Sequence, residues 1–268
     1  GAEHTYGQHV ESDFTAADLI IVSPGIPAST PFLITAQQAG VRVVSELAFA
    51  AEIIQQRGIP IIAVTGTNGK SSVTWFIGQL LEETGYRVFV GGNIGRALTD
   101  LVASEAQPDF AVVEVSSYQL ELPGRLQPKA AAVLNLAPDH LRRHGTMHNY
   151  AETKTQLFQN MQSTGYAALP QSHIHNPDGL LQHGPTQAHT VWLDGAPGAK
   201  RDGDQITFSG TPDDGVLHMT GLTLLGDHNR DNAAAAALLC VCAGVPSKQL
   251  NFSVLTALPH RLQPVHEA

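Results

Sequence analysis

An apolar run, Pro60–Thr65, leads straight into the turn GTNGKSS and then into a segment, Ser71 to about Thr84. In that segment the apolar positions Val73, Phe76, Ile77, Leu80 and Leu81 recur at helical spacing. Strand, glycine turn and helix in that order commit the chain to an α/β arrangement, with a helix N-terminus facing the end of a buried strand. The turn is shorter than the common phosphate loop, whose first glycine stands five residues before the Gly-Lys pair. Here Val64 holds that position and the first glycine is Gly66. The chemistry of a phosphate cradle is nevertheless present. Gly66 and Gly69 let backbone N–H groups turn inward around Thr67 and Asn68, and the helix N-terminus adds positive potential. Lys70 can reach outer phosphates, and Ser71, with Ser72 beside it, offers a hydroxyl to Mg²⁺. The bland alternative is a glycine turn with a solvated lysine, and the flanking strand and helix argue against it.

Strand and helix signals alternate around this unit, the mark of a parallel sheet. Strands are predicted at Asp18–Val22, Val41–Val44, Arg87–Val90, Asp109–Val115 and Ala131–Leu136, and helices at Thr30–Ala39 and Glu46–Gln56. Gly85 is placed to cap the helix that follows the glycine turn. Further on, Thr190–Leu193, Gln205–Phe208 and Leu217–Leu224 read as short strands between glycine turns, which predicts antiparallel additions. Helices are predicted at Asn229–Ala243 and Ser247–Leu258. The expected fold is a mostly parallel phosphate-loop sheet flanked by helices, with added antiparallel strands, preceded by a partial Rossmann-like unit. A boundary falls near Glu46–Pro60, because two strand–helix units before it are too few to bury a complete sheet.

Composition narrows the function class. With 15 Lys+Arg against 24 Asp+Glu the net charge is −9, which argues against a non-specific nucleic-acid surface. The longest apolar runs, such as Ala233–Val241, are too short to span a membrane, and no signal peptide is recognisable, so a cytoplasmic enzyme is expected. Cys240 and Cys242, one residue apart on a predicted helix, read as small core residues. The histidines lack a zinc-like spacing.

Four further constellations carry chemistry. Glu114 ends a valine-rich strand in VVEVSSYQLE, where a carboxylate needs a cation, either a metal or a structural arginine. Asp139–His140 begin the turn after the strand ending at Leu136, and His140 is either a metal or phosphate contact or a solvated loop residue. Lys154 lies on a helix starting near Asn149 and by itself reads as a surface lysine. Asn229 and Asn232 stand three apart in the first turn of a helix, where one can cap it and the two can read an adenine edge. Asn93, in the GGNIG loop, offers an amide where the backbone comes close to something.

In this order, with SPGIP upstream, the motifs GTNGKSS, GGNIG, EVSSYQLE, PDHLRRHGTMHNYAETK, GDHNRDNAAAA and LPHR resemble those of the Mur ligase family. The likeness runs over nearly the whole chain from Asp18 to Arg261. EVSSYQLE with SPGIP resembles the branch of the family that adds D-glutamate to UDP-N-acetylmuramoyl-L-alanine. The resemblance implies a monomeric ATP-dependent amide ligase of peptidoglycan precursor synthesis, working through an acyl phosphate and two Mg²⁺ ions. It implies catalytic roles for Lys70, Glu114, His140 and Lys154. Lys70 would contact the ATP phosphates, Ser71 and Glu114 a first Mg²⁺, and His140 and a carbamylated Lys154 a second. Gly66 to Ser72, Asn229, Asn232 and Arg261 would meet the nucleotide; Ser23, Pro24, Gly25 and Asn93 would meet the UDP-sugar.

The resemblance also implies that residues 1–47 are the C-terminal part of a UDP-sugar-binding domain. Residues 48–259 would be the central ATP-binding domain, and 260–268 the start of a linker to a further domain. By itself the 268-residue chain is then expected to bind ATP weakly and to ligate nothing. Two positions depart from the family pattern: Ser72 where Thr is usual, and Ala137 where a hydroxyl residue is common. The competing readings are another Mur-family or folylpolyglutamate-type ligase, and a nucleotide-dependent switch that hydrolyses ATP without amino-acid dependence.

Overall fold

A computed structural model describes residues 4, 6, 7, 9–173, 184 and 187–258. A short helix α1 (Glu11–Thr15) precedes β1 (Leu19–Val22), α2 (Pro31–Gln38) and β2 (Arg42–Ser45), and β1 and β2 pair in parallel as a small separate sheet. Next come α3 (Glu46–Gln56), β3 (Ile61–Thr65), α4 (Lys70–Glu83), β4 (Val88–Gly92), α5 (Leu98–Ala103) and β5 (Phe110–Glu114). They are followed by β6 (Ala130–Val133), α6 (Leu141–His144), α7 (Met147–Thr155), β7 (Tyr166–Leu169) and β8 (His189–Trp192). The last elements are β9 (Gly198–Asp202), β10 (Gln205–Ser209), β11 (Gly215–His218) and α8 (Asp227–Cys242).

The strands from β3 onward form one nine-stranded sheet in the order β11-β10-β9-β8-β7-β6-β3-β5-β4. Strands β4 to β9 and β3 run parallel, and among the described residues only the β9–β10 and β10–β11 pairs are antiparallel. Strand β3 lies between β5 and β6, so the chain leaves it to one side and later returns to the other. In open α/β sheets the crevice at such a reversal, beyond the carboxyl ends of the strands, is where ligands bind.

The sheet is covered on both faces, which is why its central strands are apolar without alternation. Ile62, Val64 and Val112 pack with α4 and α8, while Ile61, Ala63 and Val113 pack with α3 and α5. The alanines of α8 let that helix lie close against α4. Local chemistry sets the helix ends. Ser45 Oγ accepts the N–H of Ala48 at 3.2 Å and starts α3. Gly85, at φ 89°, stops α4, with the Tyr86 N–H reaching Leu81 O at 3.1 Å.

Several expectations need correction. The strand expected at Thr190–Leu193, observed as β8, joins the sheet in parallel to β7 rather than antiparallel; the connection from 170 to 188 is long enough for a crossover. The strand expected at Leu217–Leu224 ends at His218, and a turn at Gly221 (φ 80°) follows. Ser247–Leu258 is not a helix but two 3₁₀ turns, Ser247–Gln249 and Phe252–Val254. Asn251 Oδ1 accepts the Ser253 N–H at 3.1 Å, and Leu250 and Leu255 are extended so that both, with Phe252, reach the core. Sequence reading also missed α1, α5, α6, β7 and β9.

The GGNIG loop shows why glycine is required. Gly92 has φ 101°, and a Cβ there would collide with the carbonyl oxygen of Glu114 on the neighbouring strand. Gly92→Ala should therefore lower stability by about 2–4 kcal/mol, from backbone strain plus the clash. A urea midpoint equal to wild type would show that β4 can slide away from Glu114 without cost.

Candidate active site

The turn after β3 bends at Gly66 and at Gly69, whose φ of 82° provides a left-handed start to α4. Lys70 folds back over the turn, its Nζ donating to Gly66 O at 3.0 Å and Thr67 O at 2.9 Å. Ser71 is buried at the first turn of the helix. The hydroxyl of Thr67 is held between the main-chain N–H and carbonyl of Ala137, at 3.0 and 3.2 Å.

Glu114, the last residue of β5, pairs in register with Val64 beside the turn and is 1% exposed. Its Oε1 accepts from Asn93 Nδ2 at 2.8 Å, while its Oε2 is buried with no hydrogen-bond partner. No arginine among the described residues pairs with it. An orphaned carboxylate oxygen is costly to bury, and a divalent cation would satisfy it. The residue types fit Mg²⁺, which is held by one or two carboxylates together with hydroxyl, water and phosphate oxygens. Among the described residues no three of His, Cys, Asp and Glu gather as a metal cage, so an all-protein site of that kind is not on offer.

Lys154 is no surface lysine: it is 1% exposed. It projects from α7, which Thr146 caps by accepting the Asn149 N–H at 3.1 Å. Its Nζ donates to Gly66 O at 2.9 Å and lies 4.6 Å from the centre of the Tyr150 ring. Burial, reinforced by the nearby charge of Lys70 and opposed by Asp139, brings its pKa down to about 7. The amine is therefore available in its neutral, nucleophilic form near neutrality.

His140 adopts a left-handed backbone (φ 52°), its N–H donating to Asp139 Oδ1 at 2.8 Å and its Nδ1 lying 3.2 Å from the Tyr118 hydroxyl. Lys70, Asn93, Ser116, Ser117, Tyr118, His140, Tyr150 and Lys154 line one cavity of about 240 Å³. Four expected residues from four separate segments, Lys70, Asn93, His140 and Lys154, thus line one cavity, and Glu114 is tied to it through Asn93. Asn232 comes to the same turn from α8: a Cβ on Gly69 would stand 2.7 Å from its Oδ1. Asn229 is engaged locally, donating to Leu225 O at 2.8 Å. Arg261 lies outside the described residues.

Ser23, Pro24 and Gly25 reach this region through a tie that sequence reasoning missed. Arg143 donates to both carboxylate oxygens of Glu121, at 2.7 and 2.9 Å, and sits over the Tyr118 ring at 4.9 Å. The same pair grips the SPGIP loop: Glu121 Oε2 accepts the Ala28 N–H at 3.1 Å, and Arg143 donates to Gly25 O at 3.4 Å. The available signal was opposite charge at the ends of two motifs, EVSSYQLE and LRRH. His144 was also missed. It is buried, with Nε2 3.0 Å from Ser117 Oγ, and burial lowers its pKa.

Comparisons with known proteins bear on the family and the fold. Residues 64–240 match the Mur ligase middle domain, and residues 2–45 match the Mur ligase MurD-like N-terminal domain. The chain is 38% identical to a UDP-N-acetylmuramoylalanine--D-glutamate ligase of Anaeromyxobacter dehalogenans, over 97% of this chain and 58% of the relative. It is 36% identical to the protein of the same description from Desulfatibacillum aliphaticivorans, over 100% of this chain and 60% of the relative. It spans about three-fifths of the length of these curated relatives. Among solved structures, MurF from Acinetobacter baumannii superposes with a TM-score of 0.63 at 18% identity, covering 88% of this chain and 59% of that one. MurF from Thermotoga maritima in complex with ADP gives 0.58 at 16%, covering 92% and 67%. At such identities these structures speak for the fold.

Proposed function

The chain belongs to the Mur ligase family, and on that premise we propose that it is the ATP-handling part of a ligase joining D-glutamate to UDP-N-acetylmuramoyl-L-alanine. The observation that carries the proposal is the pairing, at the carboxyl ends of neighbouring strands β3 and β5, of a phosphate-type turn with the buried, half-satisfied carboxylate of Glu114. A switch protein has less use for the depressed Lys154 and the tethered SPGIP loop in the same neighbourhood.

A carboxylate is a poor electrophile toward an amine at neutral pH, so the proposed reaction first transfers the γ-phosphoryl group of ATP to the substrate carboxylate. The amine of D-glutamate then displaces phosphate from the acyl phosphate. In this reading the turn and Lys70 orient the phosphates, and the fixed dipoles of the α4 N-terminus meet charge where it develops. Ser71 and Glu114 would hold one Mg²⁺, and His140 with a carbamylated Lys154 a second. Bound Mg²⁺ would neutralise crowded phosphoryl oxygens. Asn229, Asn232 and Arg261 are assigned to the nucleotide, and Asn93 with Ser23, Pro24 and Gly25 to the UDP-sugar.

Residues 1–47 are read as sugar-binding, 48–259 as ATP-binding, and 260–268 as the approach to a further domain. Both proposed substrates are water-soluble, and among the described residues no helix is long and apolar enough to cross a membrane.

The test is product detection by mass, using the protein carried to the length of its relatives with ATP, Mg²⁺, D-glutamate and UDP-N-acetylmuramoyl-L-alanine. One amide product with matching ADP and phosphate is expected. Preference for another amino acid would move the protein to a different branch of the family, and ATP hydrolysis indifferent to any amino acid would overturn the ligase reading.

A further inference from the structure

We infer that Asn135 is a positioning residue that holds the shortened turn from behind, leaving Gly69 and the first turn of α4 to meet the phosphates. The inference rests on reading the turn as a nucleotide site. Asn135 follows β6, the strand paired alongside β3. Its Oδ1 accepts the N–H of Asn68 at 2.8 Å and of Thr67 at 3.1 Å, and its Nδ2 donates back to Asn68 O at 3.0 Å. The Asn135 carbonyl also accepts from Thr67 N at 3.1 Å. The side-chain amide therefore pairs with the turn as a neighbouring strand would, donor to acceptor and acceptor to donor.

The length of the turn explains the need. Only Thr67 and Asn68 separate its two glycines, too little chain to curl back and satisfy its own polar groups, which must find partners if they are not solvated. The exit of β6 lies directly beneath: a Cβ on Gly66 would stand 3.1 Å from Leu134 Cβ. With Thr67 and Asn68 turned toward Asn135, their amides are spoken for. Donors that remain for an anion include the N–H of Gly69 and those of the first turn of α4, Ser71 and Ser72 among them, which helix geometry leaves without an acceptor inside α4. This revises the expectation that every residue from Gly66 to Ser72 touches the nucleotide.

The experiment is amide NMR and calorimetry on the ¹⁵N-labelled 268-residue chain with MgADP up to millimolar concentration. On adding MgADP to wild type, the Gly69, Ser71 and Ser72 amides should shift strongly while Thr67 and Asn68 hold. Asn135→Ala should raise the Kd for ADP about tenfold, the scale of losing one to two net hydrogen bonds that orient the site. Its Thr67 and Asn68 amides should exchange faster. Asn135→Asp keeps the acceptor for the Thr67 and Asn68 amides but loses the donor to Asn68 O, so those two amides should exchange more slowly than in the Ala variant; exchange as fast as in Ala counts against the inference. Should the Ala variant not fold, the wild-type shifts decide alone. Thr67 and Asn68 shifting as strongly as Gly69, or a folded Ala variant with wild-type Kd, overturns the role of Asn135 while leaving the nucleotide site standing. Wild type that binds no ADP overturns the underlying reading, and this inference with it.

Discussion

Glu114→Gln is expected to reduce Mg²⁺-dependent turnover about a thousandfold or more in protein of the relatives' length, the scale of removing a key electrostatic contact to a phosphoryl-transfer site, while the fold survives. The substitution is close to isosteric. The amide oxygen can still accept from Asn93, as Oε1 does at 2.8 Å. What changes is the second oxygen, which is buried without a partner and carries the charge a cation would seek. Oε2 accepts no hydrogen bond in the described structure, so its replacement breaks none and takes a carboxylate out of an apolar strand. The variant should therefore melt at or above the wild-type temperature in the absence of nucleotide and Mg²⁺, yet turn over too slowly to measure easily. Wild-type turnover would remove Glu114 from the chemistry. A large fall in apo melting temperature would show instead that the carboxylate is structural, serving mainly to hold Asn93 and the GGNIG loop.

How much of this was legible in the sequence depends on whether the signal was local. The helices Pro31–Gln38, Glu46–Gln56 and Lys70–Glu83 were readable because their signals, such as apolar spacing and the stop at Gly85, lie within a few residues of one another. The strands around the site were readable for the same reason, each being a short apolar run. The direction of β8 was not, since parallel or antiparallel pairing is decided by a connection whose path no local pattern states. The failed helix after Ser247 shows the reverse: its residues look helical, but Leu250, Phe252 and Leu255 are placed by the core they fill.

The candidate site divides in the same way. Lys70, Glu114 and His140 could be singled out because each ends or follows a strand beside a recognisable turn. Lys154 read in isolation as a surface lysine, because burial is a property of what surrounds α7 and not of its own sequence; only the family resemblance pointed to it. Asn135, Arg143 and Glu121 act across distances in sequence of tens of residues, as in Ala28–Glu121 and Asn68–Asn135. Such ties are invisible until the strands are assembled.

The second large effect concerns Lys154. Lys154→Met should abolish ligation in protein of the relatives' length and at the same time stabilise the chain without ligands, most clearly at low pH. The direction follows from linkage. Burial depresses the folded-state pKa from 10.5 to about 7, so between those values the unfolded chain binds the extra proton and the folded chain does not. Wild-type stability must then rise with pH across that window, by at most about 1.4 kcal/mol per pH unit for a single proton. Below about pH 7 both states are protonated and the full penalty of the buried ammonium is present; methionine carries none of it. The gain from the substitution should be largest near pH 6 and shrink toward pH 10, read from urea midpoints in CO₂-depleted buffer. A gain independent of pH would mean that Lys154 titrates normally and that its burial is relieved in solution. The same neutral amine is what adds CO₂, its nitrogen lone pair forming the new N–C bond and a proton leaving to solvent. Wild type in ¹³C-bicarbonate should accordingly show a carbamate carbon signal that Lys154→Met lacks, and its turnover should fall on CO₂ depletion and return with bicarbonate. Turnover indifferent to CO₂, with no labelled carbon at Lys154, would leave the second metal position without its anionic ligand.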